Sequence, residues 1–188
     1  ESRGACDRIE GAEGIADVVV VDQTPATRSP RSNPATVSKA FDGIRQLFAA
    51  TREARALGVG PGWFSFNVAG GRCETCEGAG ALEVEMVFMA DVFVPCETCG
   101  GTRYKPEVLD VTYFGKRITD VLEMTVDEAI RFFPREEKLG QALWQVQQVG
   151  LGYLRLGQPA TTLSGGEAQR LKIARELMDG SDAEVLYI

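Results

Sequence analysis

The chain has 188 residues, a formal net charge of −7 and no histidine. This length allows one or two domains with a buried core, and the missing histidine excludes histidine-based acid/base catalysis and histidine metal ligands within the chain. The negative charge argues against a nucleic-acid binder that relies on bulk charge, although it does not exclude a local basic face. No apolar run reaches the length of a membrane span and no secretory leader is recognisable, so we expect a cytoplasmic, reducing location without a membrane partner.

The first third of the chain combines a short strand, a loop and a helix. The β-branched run at 16–22 predicts a buried strand, and the proline-rich stretch at 24–34 predicts an extended loop. Apolar residues recur at helical spacing over 36–56 and predict one helix. Residues 63–68 alternate in polarity and predict another short strand.

Two Cys-x-x-Cys pairs follow, with nineteen residues between them: Cys73, Cys76, Cys96 and Cys99. This spacing is typical of a zinc site, in which four thiolates surround one ion in a tetrahedron. Two disulfides or four free core cysteines are the alternatives, and disulfides are disfavoured because nothing suggests export. Cys6 has no partner at a ligand spacing and is interpreted as a bystander thiol. Residues 81–95 alternate and predict a β-hairpin with its turn near 89–91, so that zinc would staple the base of the hairpin.

The remaining sequence predicts strands or a hairpin, then mostly helices. Strands or a hairpin across Gly115 are expected at 108–114 and 117–121, and an irregular segment at 151–156. The predicted helices cover 126–133, 139–149 and 163–178, and a buried strand is predicted at 185–188. Because an apolar strand pattern stands at the end of the sequence, we expect a fragment.

The start of the helix at 163–178 has the features of a phosphate-binding site. Ser164 is placed to cap it and Glu167 to complete a capping box, while Gly165 and Gly166 let a ligand approach the backbone. Free N–H groups and the positive end of the helix dipole suit a phosphate. The alternative is a well-capped helix without a ligand.

Basic residues cluster in two places. They are Arg28, Arg31, Lys39 and Arg45 in the first part of the chain, and Arg103, Lys105, Lys116 and Arg117 after the second cysteine pair. A nucleic-acid-binding face and ordinary solvated charges explain these clusters equally well.

Three segments of the sequence together resemble one protein family. Leu-Ser-Gly-Gly-Glu-Ala-Gln-Arg at 163–170 resembles the signature motif of ABC-type ATPases. The second segment is the cysteine module with its flank Phe-Ser-Phe-Asn-Val-Ala-Gly-Gly-Arg at 64–72. The third is the loop that begins Asp-Gln-Thr-Pro at 22–25. The chain from about Asp7 to Ile188 closely resembles the UvrA family, the damage-recognition ATPase subunits of bacterial excinucleases.

The resemblance implies a mixed α/β fold with α+β elements. It would be a partial ABC-type ATPase lobe, from the second nucleotide-binding half, with a helical signature region and an inserted zinc-stapled β-hairpin. The implied division places part of the nucleotide-binding lobe at 1–60, the zinc hairpin module at 61–107 and the signature subdomain at 108–188.

The resemblance also implies roles for individual residues. Gln23 would be the Q-loop glutamine near Mg²⁺ and the attacking water, with a simple turn residue as the alternative. ATP held mainly by another nucleotide-binding lobe would be contacted by Ser164, Gly165, Gly166, Glu167 and Gln169. The structural Zn²⁺ would be held by Cys73, Cys76, Cys96 and Cys99. Candidates for contacts with DNA phosphates are Arg28, Arg31, Arg72, Arg103 and Lys105.

The implied function is DNA damage recognition in nucleotide excision repair, with hydrolysis of ATP by the full-length protein. The implied partners are damaged double-stranded DNA, a UvrB-type helicase subunit and a second copy of the full-length protein. The sequence contains no G-x-x-x-x-G-K-[ST] phosphate loop, and the Walker B acids of the family would follow Ile188. We therefore expect no catalytic residue in this chain and no ATP hydrolysis by the chain alone.

Two other interpretations stay open. A UvrA paralogue used in drug tolerance, or an ABC protein outside repair, would share these motifs. The cysteine pairs with their following glycines also resemble the knuckles of DnaJ-type co-chaperones, which would make the chain a peptide-binding module. The signature helix, and the presence of two such knuckles where those proteins usually carry four, argue against that class.

Overall fold

The computed structural model describes residues 10–20, 29–84, 86, 88, 92–179 and 185–188. The helices are α1 (Pro34–Val37), α2 (Ala40–Ala49), α3 (Arg52–Ala56), α4 (Pro106–Leu109), α5 (Ile118–Glu123), α6 (Val126–Phe132), α7 (Glu137–Val146) and α8 (Gly165–Asp179). The strands are β1 (Asp17–Val19), β2 (Ala81–Val84), β3 (Val92–Pro95), β4 (Thr112–Tyr113), β5 (Lys116–Arg117) and β6 (Val185–Tyr187).

The strands form three separate two-stranded sheets in the described residues. β1 pairs in parallel with β6, whereas β2 with β3 and β4 with β5 pair antiparallel. The predicted strands at 16–22 and 185–188 are therefore present. The prediction that both are buried is wrong for the described residues, because Val18 is 49%, Val20 73%, Leu186 43% and Ile188 67% exposed.

The single helix predicted over 36–56 is wrong, because the segment is divided into α1, α2 and α3. Asn33 caps α1 and accepts a hydrogen bond from the Thr36 N–H at 3.0 Å. Lys39 then adopts a left-handed conformation with φ of 57°, which interrupts the helical backbone. Thr51 caps α3 by accepting from the Ala54 N–H at 3.2 Å. The helical spacing of apolar residues continues across these breaks, so periodicity alone did not reveal them.

The strand predicted at 63–68 is also wrong, since Pro61–Phe64 forms a 3₁₀ turn and the residues after it are irregular. Phe64 and Phe66 are both fully buried. The ring of Phe66 stacks on Phe41 with centroids 4.8 Å apart, and Phe64 lies 5.6 Å from Phe48. The alternation of polar and apolar residues at 63–68 therefore reflects the packing of aromatic rings on α2 and not the pairing of a strand.

The middle of the chain partly follows the prediction. β4 and β5 form the expected hairpin across Gly115, with Tyr113 opposite Lys116. The prediction of strands over the rest of these two ranges is wrong, because Pro106–Leu109 and Ile118–Glu123 are helices. Proline begins α4, and the Asp120 carboxylate accepts the Arg117 N–H at 2.8 Å to cap α5.

The three predicted helices of the last third are present, with shifted ends. α6 carries the predicted capping box, in which Thr125 and Glu128 exchange hydrogen bonds of 2.8 and 3.2 Å. α7 ends at Val146 and continues as a π turn at Gln147–Leu151, where Gly150 has φ of 75°. Buried side chains of these helices pack with those of α2 and with Leu151, Leu154 and Leu156 in one core. Among the described residues, no helix has the length and apolar character needed to cross a membrane.

Candidate functional site

The fold brings the four predicted cysteine ligands together. Their sulfur atoms all lie within 4.8 Å of one another, with 3.9 Å between Cys73 and Cys96 and 3.8 Å between Cys76 and Cys99. Four thiolates at about 2.3 Å from one zinc ion are separated by about 3.8 Å in a tetrahedron. A disulfide needs about 2.05 Å between sulfurs, so the disulfide interpretation does not describe this arrangement.

Tight turns aim the sulfurs at a common point. The Gly80 N–H lies 3.3 Å from the Cys76 sulfur, and Gly78, Gly80 and Gly101 all have φ near 80°. These left-handed glycines let backbone N–H groups turn toward sulfur, as the contact from Gly80 to Cys76 shows. The two knuckles are also joined directly, because the Cys96 N–H donates to the Gly80 carbonyl at 3.0 Å.

The chemistry of the cluster fits a soft dication. The backbone N–H of Cys99 lowers the pKa of Cys96 to about 7, whereas burial raises the pKa of Cys76 to about 12. Without a cation, four clustered thiolates would repel one another, so the cluster cannot be fully ionised at neutral pH. A bound Zn²⁺ supplies the compensating charge and accepts the tetrahedral thiolate geometry.

The predicted hairpin stands on this cluster. β2 and β3 pair with Ala81 opposite Pro95 and Val84 opposite Val92, while the predicted turn at 89–91 lies outside the described residues. Both strands are largely exposed, and Phe88 near the tip is 96% exposed. The hairpin therefore projects from the rest of the described fold, as the sequence predicted.

The start of α8 has the predicted capping box. The Glu167 Oε2 accepts the Ser164 N–H and the Ser164 Oγ–H, each at 2.8 Å, and the Glu167 N–H lies 3.4 Å from Ser164 Oγ. Ser164, Gly165 and Gly166 are exposed, and a Cβ built on Gly166 would meet no atom within 4 Å. Gln169 is half-buried one turn further on. The helix start is thus accessible to a ligand from solvent.

Two residues at this helix start were missed by the sequence analysis. The Tyr153 hydroxyl donates to Glu167 Oε1 at 2.6 Å, and Arg170 Nη1 lies within hydrogen-bond distance of the Val149 and Gly150 carbonyls, at 3.3 and 3.4 Å. Tyr153 lies in the segment that was predicted to be irregular, where periodicity carries no signal for such a contact.

The predicted DNA-contact residues occupy different environments. Arg31 and Arg72 both face Glu77, at 3.1 and 3.7 Å, and Lys105 pairs with Glu74 at 2.9 Å. These three cations therefore surround the first cysteine knuckle and are paired with its carboxylates. Arg28, and the predicted Q-loop residue Gln23, lie outside the described residues.

Arg103 is placed differently from the other cations. It is only 8% exposed, its guanidinium lies 5.1 Å from the centre of the Phe66 ring, and its Nη2 donates to the Gly157 carbonyl at 3.2 Å. Burial lowers the pKa of the Arg103 guanidinium from its usual value. Arg103 is thus largely enclosed by the protein, and its role as a DNA contact stays a prediction.

Fold and site together define a mixed α/β structure with an inserted four-cysteine hairpin module that fits zinc. A scan against protein-family models finds no match. Curated relatives and a solved structure are nevertheless similar over nearly the whole chain. UvrABC system protein A of Aquifex aeolicus is 56% identical over 188 residues, which is all of this chain and 20% of that protein. The protein of the same name from Listeria monocytogenes is 53% identical over 98% of this chain and 19% of its own length.

The structural comparison agrees. The crystal structure of UvrA2 from Deinococcus radiodurans matches with a TM-score of 0.88 and 54% sequence identity, covering 93% of this chain and 21% of that chain. The chain thus spans about a fifth of the length of these proteins. The chain therefore belongs to the UvrA family and corresponds to a fragment of UvrA. This agrees with the resemblance found in the sequence.

Proposed function

We propose that this chain is part of the ATP-hydrolysing, DNA-binding subunit that recognises damage in nucleotide excision repair. The observation that carries the proposal is the 56% identity, over all 188 residues, to a protein named UvrABC system protein A. In the longer protein, the partners are damaged double-stranded DNA, a UvrB-type helicase subunit and a second copy of the protein, in the cytoplasm. The division at 1–60, 61–107 and 108–188 belongs to the same proposal.

The start of α8 serves as the nucleotide-facing element. ATP held mainly by another nucleotide-binding lobe is contacted by Ser164, Gly165, Gly166, Glu167 and Gln169, and Gln23 acts near Mg²⁺. Exposure of the capped helix start and the open space beside Gly166 support this role. Because the chain has no phosphate loop, it does not hydrolyse ATP alone, and appreciable turnover by the purified chain would refute this statement.

The cysteine cluster holds a structural Zn²⁺. All four protein ligands are supplied by the chain, which leaves no open coordination position for substrate or water. When bound by these four cysteines, zinc would supply folding free energy to the base of the hairpin rather than a reactive centre. The protein's own contribution is the pair of glycine-rich turns that hold the thiolates in place.

DNA phosphates contact the flank of the cysteine module rather than its hairpin. Residues 73–102 contain six acidic side chains and neither lysine nor arginine, so this stretch would repel a phosphate backbone. Arg31, Arg72 and Lys105 lie beside the first knuckle, and phosphates can replace Glu77 and Glu74 as their partners. Arg28 and Arg103 remain candidates for the same kind of contact. Contacts of this kind carry no base identity, which suits detection of damage by duplex shape and deformability.

The decisive experiment measures ATP turnover by the longer protein that carries this segment, with matched undamaged and damaged duplexes. The proposal predicts that damaged duplex changes the turnover rate and binds more tightly than its undamaged control. It also predicts that Ser164→Ala raises the KM for ATP. The repair function would be refuted if both duplexes bound equally tightly and neither changed the rate of ATP turnover.

A further inference from the structure

Three side chains form a continuous hydrogen-bonded chain across the start of α8. The Tyr153 hydroxyl donates to Glu167 Oε1 at 2.6 Å, and Glu167 Oε2 accepts both donors of Ser164 at 2.8 Å. One carboxylate therefore uses the N–H and the hydroxyl hydrogen that Ser164 could offer to a phosphate. The hydroxyl of Tyr153 holds the other oxygen of that carboxylate.

The segment that carries Tyr153 is attached to α8 and α6 by separate contacts. Arg170, on α8, points its Nη1 at the Val149 and Gly150 carbonyls, and Gly150 has φ of 75°. On the other side the Asp127 N–H donates to the Gly152 carbonyl at 3.0 Å. Removing the Tyr153 hydroxyl would consequently leave the segment in place, free Glu167 Oε1 and remove the contact of the hydroxyl with Arg170.

The carboxylate competes with a phosphate for the same place. The Glu167 carboxylate is negative at neutral pH, and the hydrogen bond from the Tyr153 hydroxyl is the main cause that lowers its pKa further. A phosphate at the helix N-terminus needs the same dipole end and the same Ser164 donors, and it would be repelled by the carboxylate. The phosphate and the carboxylate cannot both use the Ser164 donors.

We propose that Tyr153 is a positioning residue that holds the Glu167 carboxylate on Ser164. It thereby raises the free energy needed for a nucleotide phosphate to bind at the start of α8. The inference rests on the proposed function, since it assumes that α8 faces ATP. When ATP arrives, its phosphate oxygen takes over the Ser164 donors. The Glu167 carboxylate turns away from the phosphate, while the Glu167 backbone N–H stays at the nucleotide-facing helix start. Tyr153 stabilises the nucleotide-free arrangement, so its loss shifts the population toward the nucleotide-accepting one.

The test compares Tyr153→Phe with Tyr113→Phe in the longer protein that carries this segment. Both variants lose one hydroxyl, but the ring of Tyr113 packs on Phe48 and Phe133, away from Glu167. Tyr153→Phe is expected to lower the KM for ATP by roughly three- to tenfold, with kcat changed less than twofold and an unchanged melting temperature. Tyr113→Phe is expected to leave the KM unchanged. In a Glu167→Ala background, Tyr153→Phe should have no further effect on the KM.

Ser164→Ala separates this inference from the function on which it rests. If Ser164→Ala raises the KM for ATP while Tyr153→Phe leaves it unchanged or raises it, the role of Tyr153 is refuted and the proposed function stands. An effect of Tyr153→Phe that persists in the Glu167→Ala background would also refute it, because Tyr153 would then act by another route. If neither Ser164→Ala nor Tyr153→Phe alters the KM, α8 does not face the nucleotide, and the proposed nucleotide-facing role on which the inference rests fails.

Discussion

The Nη2 atom of Arg103 donates a 3.2 Å hydrogen bond to the carbonyl oxygen of Gly157, which lies fifty-four residues further along the chain. The backbone of Arg103 is held by the cysteine module, because its carbonyl accepts the Cys73 N–H at 2.8 Å. Gly157 lies seven residues before Ser164, and its N–H donates to the Leu122 carbonyl at 2.7 Å. One buried side chain thus joins the base of the cysteine module to the segment that leads into α8.

Replacement of Arg103 by alanine is expected to destabilise the zinc-loaded chain by about 2–4 kcal/mol, because it removes a buried stem, a ring contact and a charged hydrogen bond. Arg52 is exposed at the start of α3, so Arg52→Ala is the matched control and should cost less than about 0.5 kcal/mol. Denaturant unfolding of both variants measures the difference. Equal unfolding midpoints for Arg103→Ala and Arg52→Ala would show that the link to Gly157 is unimportant.

The cysteine centre and the cap of α8 could be predicted from sequence because each depends on short spacings. Two residues between paired cysteines, and two between Ser164 and Glu167, determine the geometry locally. The burial of Arg103 could not be predicted, since Phe66 and Gly157, which enclose it, are distant in sequence. Lys39 likewise gives no local signal, because lysine adopts a left-handed conformation only uncommonly.

Gly71→Ala is expected to destabilise the chain by about 2–4 kcal/mol. A Cβ built on Gly71 overlaps the Trp63 carbonyl oxygen and lies 2.6 Å from Val108 Cγ2, so the backbone of the turn would have to move. A Cβ on Gly62 meets no atom within 4 Å, which makes Gly62→Ala the control, with a change within about 0.5 kcal/mol. Thermal unfolding of the two variants tests this, and a Gly71→Ala variant as stable as Gly62→Ala would contradict the close packing.

Metal analysis of the purified chain is expected to give one zinc per chain, with four thiols becoming reactive after chelation, as four thiolate ligands require. Cys96→Ser should abolish tight zinc binding and order of the hairpin, because the remaining three thiolates do not complete the tetrahedron. Cys6→Ser, which alters the cysteine outside both pairs, is the control and should retain the metal. A metal-free chain in which all cysteines react freely would refute the zinc site.

The start of α8 is expected to loosen in acid because of Glu167. The Tyr153 hydroxyl, followed by the Ser164 N–H, lowers the pKa of Glu167 below its usual value of about 4.3. A carboxylate whose pKa is lower in the folded state stabilises that state above the unfolded pKa, and this contribution is lost as the pH falls through the folded pKa. Amide exchange at Ser164 and Glu167, whose N–H groups form the capping box, should therefore accelerate below about pH 4, relative to the intrinsic rate.

Glu167→Gln and Glu128→Gln distinguish this origin from general acid denaturation. Glu128 caps α6 in the same way, and its pKa is lowered chiefly by the backbone N–H of Thr125. Glu167→Gln should remove the acid-dependent loosening of α8, because its amide cannot become charged at any pH, whereas Glu128→Gln should leave it intact. If α8 in the Glu167→Gln variant still loosened over the same pH range, another carboxylate would control the helix start, and the hydrogen-bonded chain from Tyr153 to Ser164 would have no part in its acid sensitivity.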